Sequence, residues 1–323
     1  MTNHVPPDRV GAFRALRERV PLELVTFGGR SRHGGSAPAQ TGPPARAVRE
    51  RDVHRLAARG EWSAIVCGTA GRVALPAAFA GARSARLPFV LWASLWAHPR
   101  TAAHALSYAP MLAIYRGADA VVTYGEHVSD YVARHGARRV HVAPQAVDNA
   151  FWSAPAQPER HAGFTALFAG RDAPEKGLPL LRRAWDAMGP SVDDRLLVAT
   201  DLEPVALRNF YAAADVLVMP SIRTRDFREP WGLVANEAMN QHTAIIASNQ
   251  VGAAAGGLVR HERNGLIVPA GEEHALARSL ARLRDDAALR AKFAANGARD
   301  VAAFTHEAWA AGFVAALEEV GAC

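Results

Sequence analysis

Glu229-Pro-Trp-Gly-Leu-Val-Ala-Asn-Glu237 sets one carboxylate in a loop and a second eight residues later, inside a predicted helix. Pro230 suits the first helical position, where its missing N–H costs nothing and its φ is already near helical. Gly232 lets the backbone come close to a ligand. A helix opening here offers free N–H groups and the positive end of its dipole to an anion. The arrangement reads as a site for a phosphate on one side and sugar hydroxyls on the other.

The residues upstream extend this reading. Ala212–Ser221 gives the end of a helix, a buried strand over Val216–Met219 and a stop at Pro220. Further back, Phe168-Ala-Gly-Arg-Asp-Ala-Pro-Glu-Lys-Gly177 is a strand running into a Gly-flanked basic loop, with a helix predicted over Leu178–Met188. The chain holds 35 arginines and two lysines, Lys176 and Lys292. A lysine in this loop therefore stands out, as expected where a compact ammonium differs in use from a guanidinium.

Alternating apolar runs and helical stretches fill both halves of the 323 residues, the pattern of parallel α/β domains. Strands are predicted over 22–27, 64–67, 89–92, 120–123 and 140–143, then over 165–169, 195–199, 216–219, 244–247 and 266–268. Ser153–His161, with Pro155 and Pro158, is the expected hinge, and Arg30–Pro44 reads as a mobile loop. Trp309, Phe313, Leu317 and Val320 share one face of a terminal helix.

Composition sets bounds. The length suits two domains, and a 50% hydrophobic content is ordinary for a globular protein. Cys67 and Cys323 fit no metal-ligand spacing and are consistent with a reducing compartment. No apolar run reaches the ~18 residues needed to span a bilayer, and no signal-peptide pattern opens the chain. A cytoplasmic location is expected. Residues 1–150 carry 19 arginines against 10 acids, whereas 151–323 carry 18 basic against 21 acidic residues. The basic first half suits an acidic acceptor or an anionic membrane surface. Without a basic helix interleaved with aromatics, nucleic-acid binding is not expected.

Together the Gly170-Arg171 and Lys176-Gly177 pairs, the Ala-Asp-Val strand ending in Pro220-Ser221, the Glu-x7-Glu stretch and Asn264-Gly-Leu-Ile-Val268 resemble the retaining glycosyltransferases of family 4. The resemblance implies the GT-B fold: two Rossmann-like domains facing a central cleft, with a last helix crossing back to the first domain. The expected limits are 1–152 for an acceptor domain, 153–304 for a donor domain and 305–323 for the returning helix. It implies transfer of a sugar from a nucleoside diphosphate donor, UDP before GDP, to an acceptor hydroxyl, with neither a metal nor a further cofactor. Asp193-Asp194 reads as a turn rather than a metal site. The acceptor, whether a small molecule, a lipid-linked glycan or a polysaccharide, stays open.

By the same resemblance, Arg171 and Lys176 neutralise the diphosphate, Glu229 contacts the donor sugar and Glu237 accepts ribose hydroxyls. Gly170 and the backbone of Trp231, Gly232 and Leu233 line the sugar and phosphate. Trp231 also reads as an aromatic wall or as a plain core residue. Glu237, standing at a ligand site, is expected to matter little for folding. His98, after the 89–92 strand, is the candidate donor contact from the first domain, and Arg9 lies in the acceptor loop. Thr123-Tyr124-Gly125-Glu126 ends the next strand and is expected at the same cleft. Two departures from the pattern stand out. The usual first strand is missing before Val5-Pro-Pro-Asp-Arg-Val10, so another segment must fill its place unless the start is truncated. Asp201–Asn209 also replaces a strand–helix–strand, which predicts a compact second domain. A nucleotide-sugar-binding subunit without catalysis is the rival reading.

Overall fold

The computed structural model describes residues 1–28, 42–71 and 73–323. Most of the expected loop at 30–44, from 30 to 41, lies outside the described residues. The chain forms two compact units that divide at Gln145/Ala146 and again at Thr305/His306.

The first unit contains β1 (Leu24–Thr26), β2 (Ala45–Ala47), β3 (Ile65–Gly68), β4 (Phe89–Ala93), β5 (Ala120–Thr123) and β6 (Val140–Val142). β1 pairs with β2, and β3-β4-β5-β6 form a four-stranded sheet; every pairing is parallel. The place of the missing strand is taken by Met1 and Thr2. Thr2 N–H donates to Val25 O at 2.9 Å, and Phe27 N–H to Thr2 O at 3.2 Å. On the other side Met1 N donates to Val66 O at 2.6 Å, and Gly68 N–H to Met1 O at 3.1 Å. Two residues thus join β1 to β3. β2 was not predicted: all three of its residues are exposed, so it carries no apolar signal.

The helix His306–Glu319 belongs to this unit. Its Trp309 ring lies 5.4 Å from Phe13 and 5.7 Å from Trp92, and Phe313 lies 5.6 Å from Trp92. Edge-on aromatic packing of this kind adds about 0.5–1.5 kcal/mol per pair beyond area burial.

The second unit holds β7 (Thr165–Ala169), β8 (Arg195–Ala199), β9 (Val216–Met219), β10 (Ala244–Ser248) and β11 (Gly265–Val268), in the order β11-β10-β9-β7-β8. All pairings are parallel, and β7, β9 and β10 are buried along their whole length. Such strands read as continuous apolar runs, which is why they were legible. One helix, Pro204–Ala213, carries the chain directly from β8 to β9.

The division falls at Gln145, before the expected hinge at 153–161. The reason is the short helix Asn149–Ser153, whose Trp152 is 1% exposed and sits 5.8 Å from Tyr211. Asn240 Nδ2 reaches Asn149 Oδ1 at 2.9 Å, and Gln241 Nε2 reaches Ala154 O at 3.0 Å. The aromatic anchor pulls these residues into the second unit. No helix among the described residues is long and apolar enough to cross a membrane.

Candidate active site

Parallel strands present their carboxyl ends at one edge, where the connecting loops gather and ligands bind in open α/β sheets. In the second unit that edge carries the loop 170–177 after β7, the loop 220–233 after β9 and the loop 249–251 after β10. Backbone contacts hold the three in register. Gly170 N–H donates to Ala199 O at 3.0 Å, Ile222 N–H to Glu175 O at 2.9 Å, and Ala253 N–H to Trp231 O at 2.8 Å. Glu229 and Val251 form a parallel bridge.

The basic loop is held by a left-handed residue. Gly177 has φ +73°, and a Cβ there would stand 2.3 Å from Pro220 O. No other side chain fits. The turn Pro174–Lys176 before it directs Lys176 Nζ to Glu229 Oε2 at 2.5 Å. Arg171 Nη2 pairs with Glu175 Oε1 at 3.0 Å and remains about one-third exposed. Lysine and Glu229 are both largely buried, which makes this pair the electrostatic centre of the edge.

Gly232 has φ +95°, a left-handed backbone conformation that favours glycine. Leu233 precedes a helix of only seven residues, Val234–Asn240, whose first turn is already partly engaged: Ala235 N–H donates to Gly232 O and Glu237 N–H to Leu233 O, both at 3.1 Å. The Gly232 and Leu233 amides make no hydrogen bond among the described residues.

Of the two readings of Trp231, aromatic wall or core residue, its burial fits the core residue. It is 2% exposed, donates from Nε1 to Asn236 Oδ1 at 2.8 Å and meets Phe304 at 5.8 Å. Glu237, expected to matter little for folding, is a buried side chain. It is 1% exposed and accepts from the Tyr211 hydroxyl at 2.7 Å. Burial first, and then the Glu237 charge, push the Tyr211 hydroxyl well above its ordinary value.

Tyr211 was not singled out from sequence; it lies 26 residues away on another helix, and only the fold brings the two together. Asp194 is a turn residue as expected, its carboxylate accepting from Ser191 N at 2.8 Å and Phe164 N at 2.9 Å. Asn264, fully buried, closes its turn by accepting from Arg260 N and donating to Leu258 O and Asp300 Oδ2, at 2.7 to 2.8 Å.

Gly170, Arg171, Lys176, Glu229, Trp231, Gly232, Leu233 and Glu237 all lie in the second unit. His98 lies in the first, after β4, with Nε2 2.6 Å from His104 O and its ring 5.1 Å from Tyr108. In the same unit Arg9 is buried, donates to Gln145 Oε1 and lies 5.8 Å from the Tyr124 ring. Burial raises the Tyr124 hydroxyl, opposed by the Arg9 charge.

Comparison with known proteins bears on the fold and the family of this chain. Residues 191–300 match the family model of the glycosyl transferases group 1. A D-inositol 3-phosphate glycosyltransferase of Salinispora tropica is 40% identical over 186 residues, covering 46% of this chain and 36% of that protein. One from Xylanimonas cellulosilytica is 32% identical over 225 residues, covering 55% and 51%. The matches thus span between a third and a half of these relatives' length. Among solved structures, HepE of Anabaena in complex with UDP and glucose superposes with TM-score 0.72 over 98% of both chains at 16% identity. Sucrose-phosphate synthase of Thermosynechococcus elongatus gives 0.72 over 97% and 92% at 18%. The fold is that of the GT-B glycosyltransferases.

Proposed function

We propose that the chain is a retaining glycosyltransferase of family 4, moving a sugar from a nucleoside diphosphate sugar, UDP before GDP, to an acceptor hydroxyl. The observation that carries this reading is the Lys176–Glu229 pair at the carboxyl edge of the second sheet, flanked by Arg171. Arg171 forks phosphate oxygens and Lys176 acts as a point charge. Both act on the charge that grows on the leaving diphosphate, where interaction energy accelerates the reaction. Glu229 takes hydroxyls of the donor sugar, the Gly232 and Leu233 amides take sugar or phosphate oxygens, and Glu237 takes the ribose. His98 contributes from the first unit. No enzymatic nucleophile is assigned: attack comes from the face the diphosphate leaves, and the diphosphate assists removal of the acceptor proton. Neither a metal nor a further cofactor is required. The acceptor is a small molecule or a glycan, and the basic first unit suits an acidic or membrane-borne one.

Donor hydrolysis tests the reading without knowledge of the acceptor. Arg171→Ala and Lys176→Ala should each lower kcat/KM by a factor on the order of 10². Near-normal turnover in both variants would sink the assignment. Binding of the donor with no hydrolysis at all would favour a non-catalytic subunit.

A further inference from the structure

The helix Ala102–Gly117 of the first unit turns an apolar face to solvent. Between Thr101 and Arg116 the sequence holds no Lys, Arg, Asp or Glu. Ala102, Leu106, Ala109 and Ala113 recur at intervals of three and four, so they share one face, and all four are exposed. Leu106 is 84% exposed, and Tyr108 on the flank of this face is 41% exposed. A helix on a folded domain ordinarily keeps its apolar stripe inward and its charges outward. Here the anchor is the last turn, where Ile114 and Tyr115 are buried. A contiguous apolar patch left in solvent marks an interaction surface.

The rim of the patch is cationic. Arg100 precedes the helix and Arg116 closes its outer face, both exposed. On the Tyr108 flank, the Tyr108 ring meets that of His135 at 6.2 Å, and a Cβ on Gly136 would stand 2.7 Å from Arg116 Cγ. The stretch 134–138 therefore borders the helix, and its Arg134 and Arg138 are exposed. Glu126 and Asp130 are the acids earlier in that neighbouring helix. Over residues 1–150 the balance is 19 arginines to 10 acids, 19 − 10 = +9.

We propose that this face docks on an anionic bilayer surface, with Leu106 in the upper acyl layer and the arginines among the headgroups. Sixteen residues are too few to span a bilayer, so the helix lies in its plane. Tyrosine suits the boundary between acyl chains and water, and arginine lays its apolar stem along the patch while its charge stays at the headgroups. The competing occupant is a second copy of the chain. A two-fold interface sets the same patch against itself, which here would bring arginines against arginines. An anionic surface compensates them instead. The same helix holds the loop of His98: His98 Nε2 donates to His104 O at 2.6 Å, and its ring stands 5.1 Å from Tyr108. Docking thus places the loop after β4 at the lipid surface. The inference goes beyond the transferase reading and does not depend on it.

The test is co-sedimentation of the full chain with vesicles of equal parts phosphatidylglycerol and phosphatidylcholine, and with phosphatidylcholine alone. The proteins are wild type, Leu106→Glu, Leu106→Phe and the double variant Arg134→Ser with Arg138→Ser. All three positions are exposed, so urea midpoints should match that of wild type. Wild type should bind the anionic vesicles at least about tenfold more tightly than the neutral ones. Leu106→Glu should weaken that binding by about ten- to a hundredfold, and Leu106→Phe should keep it. The arginine variant should lose about tenfold on anionic vesicles and nothing on neutral ones. No binding by wild type, equal affinity for both vesicles, or unchanged binding by Leu106→Glu overturns the inference. Light scattering without vesicles reads the competing occupant: a dimer that Leu106→Glu dissociates would assign the face to a second copy and overturn the inference.

Discussion

The buried Tyr211–Glu237 hydrogen bond couples the proposed ribose site to the stability of the second unit, and a double-mutant cycle measures the coupling. The hydroxyl and the carboxylate meet at 2.7 Å, with both residues at most 1% exposed. Tyr211→Phe removes a charge-assisted donor, worth about 1.5–3 kcal/mol, from a carboxylate that stays buried. In the Glu237→Gln background the same change removes only a neutral bond, about 0.5–1.5 kcal/mol. The cycle should therefore show a coupling of about 1–2 kcal/mol, read from urea midpoints followed by tryptophan fluorescence. A pH dependence accompanies it. The Tyr211 hydroxyl titrates above its ordinary value of 10 in the fold, so its contribution is complete below pH 10 and is lost as pH rises further. That loss should be absent in Tyr211→Phe. In parallel, Glu237→Gln should weaken UDP by about ten- to a hundredfold, whereas Tyr211→Phe, which keeps the charge, should weaken it less. A cost below about 0.5 kcal/mol for Tyr211→Phe, or the same cost in both backgrounds, would refute the argument.

Asn264→Ala removes the three side-chain hydrogen bonds of a fully buried residue and should cost on the order of 3 kcal/mol, measured as a lower denaturation midpoint. Cys67 is buried and its thiol is pushed up to about 11 by burial, so at pH 8 a thiol reagent should label only Cys323 until the protein is unfolded. Because a raised thiol value favours the neutral form in the fold, the Cys67 contribution to stability is complete below pH 9 and lost between 9 and about 11. Donor hydrolysis should survive exhaustive chelation, since Arg171 and Lys176 supply the charge; strict dependence on Mn²⁺ or Mg²⁺ would contradict the proposed chemistry.

The parallel strands were legible because a strand buried on both faces must be apolar at every position, as Val216–Met219 and Ala244–Ser248 are. The same logic explains what was missed. β2 is exposed throughout and pairs with β1. The stub at Met1 and Thr2 is two residues long, too short for any periodicity, yet its four backbone hydrogen bonds join β1 to β3. The units divide at Gln145/Ala146, ahead of Pro155 and Pro158, which are strong local signals. The burial of Trp152 against Tyr211 is a long-range one that no window of sequence contains.

For the candidate site, sequence named candidate residues but not their partners. Spacing put Glu229 and Lys176 in separate loops, 53 positions apart, and only the shared edge of a parallel sheet brings them to 2.5 Å. That contact gives each residue a reason the motif alone lacks. A buried carboxylate beside an incoming diphosphate would repel it, and a buried ammonium without a counter-charge would pay a desolvation penalty of several kcal/mol. Paired, the two offset each other while the site is formed by the chain alone. In the proposed reaction a donor would present hydroxyls to Glu229 and diphosphate oxygens to Lys176, so that each charge would exchange one partner for another. The glycine at 177 and the Ile222–Glu175 backbone bond fix the distance between the loops, which makes the exchange one of partners rather than of positions.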